Sequence, residues 1–248
     1  MRRILIVGAT SLIAEHCARL WAQPGTPTNL LLAGRDAARL EHIAQDLRVR
    51  SPESMVEVHT PAFADPQGIA AFIDGLWSAG PIDIALIAHG TLPDQIECQN
   101  DLRKVRDTIE INAVSPVLFA EALARHMEAN RRGTIAVIGS VAGDRGRRSN
   151  YVYGAAKGLV DRYMQGMRHR FAGKGVHALI VKPGPTDTPM TAGLSKSGAR
   201  LADPARVARD IVRGIEAGRA VVYTPWQWRW IMQVIVHIPA RIFAKLNL

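Results

Sequence analysis

The chain alternates short apolar runs with amphipathic stretches from its first residues onward. Ile4–Val7 is an unbroken aliphatic run that predicts a buried strand, and Ser11–Trp21 then carries apolar residues at helical spacing. Asn29–Ala33 predicts a second strand, Ala37–Arg48 a second helix, Val56–Val58 a third strand and Gly68–Ser78 a third helix. Ile82–Ala88 is almost wholly apolar, the pattern of a strand covered on both faces, and the His89-Gly90 turn ends it. One long helix is expected over Arg103–Asn130, a strand over Thr134–Gly139, a helix from near Tyr153 to Gly173, and a strand at Ala178–Val181 stopped by Pro183-Gly184. Thr188–Asp203, which contains Gly193, Ser195, Ser197 and Gly198, lacks periodicity and reads as a mobile loop or short helices suited to a lid. Pro204 opens a helix over Ala205–Ala217, and Val221–Tyr223 closes the sheet. Strand and helix in strict alternation predict a doubly wound, Rossmann-like parallel sheet of the α/β class. The expected organisation is one domain over residues 1–224 and a separate aromatic and basic tail over residues 225–248.

The composition fits that picture. With 248 residues, 48% hydrophobic and 21% charged, the chain can bury a substantial core. Its apolar runs fall short of the roughly 20 residues that span a bilayer, so no transmembrane segment is expected. Met1-Arg2-Arg3 leads straight into the first strand, so no secretory leader is expected either. Cys17 reads as helix filler, and Cys17 and Cys98 allow at most one bridge, which a domain of this size does not need. A cytoplasmic location follows as the expectation. The net charge of +9 raises nucleic acid as a partner, but no recognition motif accompanies the basic residues, and no nucleic-acid partner is expected. The charge is uneven instead. After Glu216 no acidic residue follows, while Arg219, Arg229, Arg241 and Lys245 give the last 32 residues +4.

The first strand runs into Gly8-Ala9-Thr10-Ser11-Leu12-Ile13-Ala14 and then a helix. Such a turn can rest a dinucleotide pyrophosphate on backbone N–H groups and a helix N-terminus, with Gly8, Thr10, Ser11, Leu12 and Ile13 as the contacts. Leu12 and Ala14 stand where the usual fingerprint has its second and third glycines, so an ordinary βα loop stays open as a reading. At the end of the second strand Gly34-Arg35 offers a guanidinium where a carboxylate would hold a ribose 2′-hydroxyl. Arg35 therefore points to a 2′-phosphate and to NADP(H) over NAD(H). The other reading makes Arg35 and Asp36 a solvated turn and helix cap.

The most specific pattern is Tyr153-Gly-Ala-Ala-Lys157, with Ser140 thirteen residues before Tyr153. Positions four apart share a helix face, so Tyr153 and Lys157 can point into one cleft. Ser140 falls just past a strand, at the sheet edge where α/β proteins bind ligands. A neighbouring ammonium favours phenolate, so Lys157 is expected to lower the Tyr153 pKa. Tyr153 can then exchange a proton with a carbonyl or hydroxyl oxygen while Ser140 holds that oxygen. Asn112, in Ile111-Asn112-Ala113, could support a water between Lys157 and solvent. No metal site is expected.

Through these residues the chain, over positions 1 to about 224, resembles the short-chain dehydrogenase/reductase family, whose Asn-Ser-Tyr-Lys tetrad matches Asn112, Ser140, Tyr153 and Lys157. Pro183-Gly184-Pro185-Thr186-Asp187-Thr188 resembles its proline-glycine motif, which implies cofactor contacts at Pro183, Gly184, Thr186 and Thr188, the last to the nicotinamide amide. Ala88-His89-Gly90 stands where the family usually shows Asn-Asn-Ala-Gly, and Ala62 where an adenine-contacting Asp is common. The resemblance implies cofactor contacts at Ala88, Gly90, Tyr153 and Lys157, hydride transfer between a nicotinamide and a keto or hydroxyl carbon, and a homodimer or homotetramer.

Between Ser140 and Tyr153 lies the guanidinium cluster Arg145, Arg147 and Arg148, suited to a phosphate-bearing substrate or else to a solvated loop. The tail carries Trp226, Trp228 and Trp230, then an aliphatic stretch, then Arg241 and Lys245. It suits a membrane interface, or a helix docked on the core or on a subunit. The loop and tail are similar to those of the keto-reductase subunits of polyprenylphosphoryl-pentose epimerases, which implies a lipid-linked keto sugar, a partner oxidase and peripheral contact with the inner membrane surface. A reductase of small ketones or acyl substrates and a non-catalytic dinucleotide-binding scaffold remain the alternatives.

Overall fold

A computed structural model describes residues 1–192 and 201–246. Seven strands, β1 (Arg2–Val7), β2 (Thr28–Ala33), β3 (Met55–His59), β4 (Ile84–Ile87), β5 (Gly133–Ile138), β6 (Val176–Pro183) and β7 (Val221–Thr224), form one parallel sheet. Their order is β3-β2-β1-β4-β5-β6-β7. Helices α1 (Leu12–Trp21), α2 (Ala37–Arg50), α3 (Pro66–Ser78), α4 (Gln95–Asn100), α5 (Leu102–Ile109), α6 (Ser115–Asn130), α7 (Tyr151–Phe171), α8 (Pro204–Glu216), α9 (Gln227–His237) and α10 (Ala240–Phe243) complete the described fold.

The strands are continuous apolar runs because both faces of the sheet are covered. In β1, Ile4 and Ile6 pack with α1, α2 and α8, whereas Leu5 and Val7 pack with α3, α6 and α7. Five of these ten helices start at an aspartate. Asp36, Asp65, Asp94, Asp101 and Asp203 accept hydrogen bonds from first-turn N–H groups of α2, α3, α4, α5 and α8, each worth about 1 kcal/mol.

The expected helix over Arg103–Asn130 is not one regular helix. α5 passes into a π-helical turn at Glu110–Val114 before α6 begins, and α4 precedes it. The extra residue in that turn arises where Asn112 turns its amide back to the Thr108 carbonyl (3.0 Å), an insertion often found at functional sites. Both cysteines are free and buried. Within 188–203, a short 3-10 turn spans Pro189–Thr191, and residues 193–200 of the expected lid lie outside the described residues. Among the described residues no helix is long and apolar enough to cross a membrane.

The tail is ordered on the domain. Helix α9 buries Met232 and lays the Trp228 indole against Gly184, in the turn that follows β6. Of the two readings of the tail, docking on the core is realised by one face of α9.

Candidate active site

The chain leaves β1 toward β2 and β3 but leaves β4 toward β5, β6 and β7. That reversal opens a crevice beyond the carboxyl ends of β1 and β4. A cavity of about 740 Å³ fills it and runs from Arg35 and Arg39 at the end of β2 to Tyr153 and Pro183 at the other side. Gly8 sets the crevice: its φ is +82°, and a Cβ there would stand 2.6 Å from the His89 backbone nitrogen. Only glycine allows the β1 and β4 turns to approach so closely.

Gly8, Thr10, Ser11, Leu12 and Ile13 all line the cavity. Ser11 begins α1 without a capping bond from its own side chain, so the first N–H groups of the helix face the cavity side unmet by it. The missing glycines have a local account. Ala14 is fully buried between α1 and the sheet, where a methyl group still fits, and Leu12 is itself the first helical residue. Arg35 and Arg39 are exposed and both reach the cavity, while Asp36 caps α2 through Arg39 N (3.0 Å). The guanidinium and cap readings of this turn therefore coexist on different residues. Phe63 and Ala64, rather than Ala62, reach the cavity after β3.

At the opposite end the four tetrad residues meet. Asn112 is fully buried and accepts a hydrogen bond from Thr91 N (3.0 Å). Lys157, 4% exposed, donates to the Ile138 carbonyl (3.0 Å) at the end of β5. Gly90 separates them: a Cβ there would lie 2.8 Å from Asn112 Oδ1 and 3.4 Å from Lys157 Nζ. Ser140 follows β5 with its hydroxyl accepting from Ala142 N (3.1 Å), and Tyr153 stands one helical turn before Lys157, whose Nζ is 5.8 Å from the phenol ring centre.

Electrostatics differ from the sequence expectation. Burial pushes the Tyr153 phenol up, and the hydrogen bond with Ser140 opposes that shift. Tyr153 lines the cavity, and desolvation is the dominant effect there, so the phenol is held protonated. Burial also depresses the Lys157 ammonium to about 8 and His89, mainly through burial, to about 3. A protonated phenol and a cation within a few ångströms of it can deliver a proton to an oxygen placed against Tyr153 and Ser140.

The arginine cluster divides. Arg147 lines the cavity, its Nε is buried without a partner among the described residues, and its other end touches Met232 Sδ (3.8 Å). Arg145 is turned away from the cavity. It donates to the Ile235 (3.0 Å) and Val236 (2.6 Å) carbonyls at the end of α9 and stacks 4.1 Å from the Phe243 ring centre. The carbonyls at a helix C-terminus draw this cation, and it does not line the cavity where the sequence reading put it as a substrate ligand. Arg148 is exposed and likewise outside the cavity wall.

Every other sequence-predicted residue lines the cavity: Arg35, Ala88, Gly90, Asn112, Ser140, Tyr153, Lys157, Pro183, Gly184, Thr186 and Thr188. Thr188 also caps the 3-10 turn through Thr191. Sequence reasoning missed Arg39, Asp107, Glu110 and Asn150 in the cavity wall. Arg39 was findable as a second basic residue in the first turn of the helix that follows Arg35. It also missed Lys182, which pairs with Asp144 (2.6 Å) and Asp161 (3.0 Å) while Tyr223 donates to Asp144 (2.9 Å). This buried cluster ties the loop after Ser140 to β6 and β7.

The chain belongs to the short-chain dehydrogenase family, whose model matches residues 2–198, and it is accordingly an NAD(P)-dependent oxidoreductase. It is 32% identical over 247 residues to an oxidoreductase of Mycobacterium tuberculosis, covering 98% of this chain and 96% of the relative. An oxidoreductase of Streptomyces coelicolor is 30% identical over 251 residues, with 99% and 96% coverage. Among solved structures, a short-chain dehydrogenase from Sphingobium yanoikuyae in complex with NADPH superposes with a TM-score of 0.81, at 23% identity and 97% coverage of both chains.

Proposed function

We propose that this reductase uses NADPH to convert a ketone to an alcohol, with Tyr153 as proton donor, Ser140 orienting the carbonyl oxygen, Lys157 as the cation beside the phenol and Asn112 as support for the proton relay. The observation that carries the reading is the convergence of these four residues, around Gly90, at one end of the cavity. The other end fits a dinucleotide: the Gly8 turn leaves room for close backbone approach, the α1 N-terminus faces inward, and Arg35 and Arg39 supply charge for a 2′-phosphate. NADPH in the Sphingobium relative agrees with that charge. When bound, the reduced nicotinamide supplies the hydride. Ala88, Gly90, Pro183, Gly184, Thr186 and Thr188 form the wall against which its ring end would rest.

Burial keeps the Tyr153 phenol protonated, the form a reductase needs before its carbonyl gains a hydride. Ser140 and Tyr153 then hold the carbonyl oxygen from two sides, and the proton passes from the phenol to that oxygen. Lys157, close to Asn112 across Gly90, restores the phenol proton through the relay.

For the substrate, the partnerless Nε of Arg147 favours an anion, and a polyprenyl-phosphate-linked keto sugar is the finer reading, as in the keto-reductase subunit of decaprenylphosphoryl-ribose 2′-epimerase. Such a ketone arises from oxidation of a hydroxyl, which calls for a partner oxidase, and it is met at the inner membrane surface. In this reading residues 1–224 are the catalytic unit, assembled as a homodimer or homotetramer, and residues 225–248 serve the lipid-linked substrate. The test is NADPH consumption by the purified protein with keto-sugar phosphates and with neutral ketones. Turnover of the phosphates with lower KM supports both levels, turnover of neutral ketones alone removes the anion, and no turnover with either removes the reductase.

A further inference from the structure

Helix α9 has two faces in different surroundings. Inward, Met232 is 1% exposed and Trp228 lies on Gly184. Outward, Trp226, Trp230 and Val234 recur every fourth residue and are 61%, 61% and 67% exposed. Ile231, Val236, Ile242 and Leu246 are exposed as well, so seven of the sixteen exposed large hydrophobic side chains among the described residues fall within 226–246. Scattered apolar side chains need no explanation, but a set concentrated on one helix and the segment after it marks a surface that is covered in use.

Charge decides what covers it. The Arg229 guanidinium lies 5.8 Å from the Trp230 ring centre, Arg241 and Lys245 are exposed beyond the helix, and no acidic residue follows Glu216. We infer that the outer face of α9 docks on an anionic lipid surface, with Trp226, Trp230 and Val234 entering the interface and Arg229, Arg241 and Lys245 meeting lipid phosphates. Aromatic, aliphatic and basic residues gathered on one short helix and the segment just beyond it suit that position. At 11 residues α9 spans only roughly 16 Å, so it lies along the surface rather than crossing it. A second copy of this chain fits less well, because a two-fold interface sets identical patches together and would oppose cation to cation. The inference rests on the proposed lipid-linked substrate for its use, since the opposite face of the same helix touches Arg147 and Gly184 in the cavity wall.

The experiment is flotation of the full chain with phosphatidylcholine vesicles, with and without phosphatidylglycerol, at low and high salt. The chain should rise with the anionic vesicles, less so at high salt, and recovery should fall at least about tenfold in Trp226→Ala/Trp230→Ala/Val234→Ser and in Arg229→Glu/Arg241→Glu/Lys245→Glu. Equal recovery with neutral and anionic vesicles, or variants that float like the parent, would overturn it. So would the apolar variant shifting a larger assembly to monomer without flotation, which assigns the face to a second copy. NADPH turnover of a water-soluble ketone, measured on the same preparations, separates the outcomes: lost turnover with intact flotation removes the reductase and leaves the surface standing.

Discussion

The two ends of the cavity hold their cations in opposite ways. At the cofactor end Arg35 and Arg39 are exposed and make no ion pair among the described residues, so their side chains are free to move. At the reacting end Lys157 is 4% exposed and Arg147 is half-buried, and burial lowers the pKa of both. The open end can afford long-range attraction of an anionic ligand at little desolvation cost, whereas the closed end has a cation whose protonation depends on its surroundings. Exposure thus separates arginines that gather charge from a lysine that tunes it.

The sharpest way to break this contrast is at the closed end. Tyr153→Phe should lower kcat by about 10²- to 10⁴-fold while leaving NADPH binding, read by fluorescence titration, intact; retained turnover would remove the proton-donor role. At the open end, Arg35→Ala/Arg39→Ala should weaken NADPH by about 10- to 100-fold and leave NADH nearly unchanged, so equal losses for both cofactors would show that neither arginine reads the 2′-phosphate. The pH dependence tests burial directly. With Lys157 depressed to about 8 and Tyr153 raised, kcat/KM for reduction should hold below that pH and fall about tenfold per pH unit above it as the ammonium deprotonates. Lys157→Met should abolish that limb along with most of the rate. The smallest effect belongs to the arginine that left the cavity. Arg145→Ala should cost about 1–2 kcal/mol of stability, seen as a few degrees in Tm, with KM for ketone little changed.

Legibility in the sequence follows the range of the interactions. The Tyr153 and Lys157 pair and the preceding Ser140 are read from local spacing, because one helix and one strand end place all three. The strands were legible because burial on both faces forces continuous apolar runs. Asn112 was named without its π-helical turn, since an inserted residue in a helix leaves no periodic mark that survives the apolar run of α6. The fate of Arg145 depended on carbonyls 90 and 91 residues away, and the Lys182 cluster joins residues from a loop, α7, β6 and β7. Neither has a local signature. The split of these three arginines, with Arg147 in the cavity wall, Arg145 on the tail and Arg148 outside the cavity wall, is a decision of tertiary packing.

The grip of Arg145 on the end of α9 has a consequence for exchange between relatives. The loop after Ser140 supplies the cation, and the tail supplies the carbonyls, the Phe243 ring and the indole on Gly184. A chimera that imports a foreign tail, or a shortened one, leaves a guanidinium without its acceptors and strips the packing from the turn beside the cavity. Residues 144–147 and 226–243 therefore form a single cassette, to be grafted together or left together.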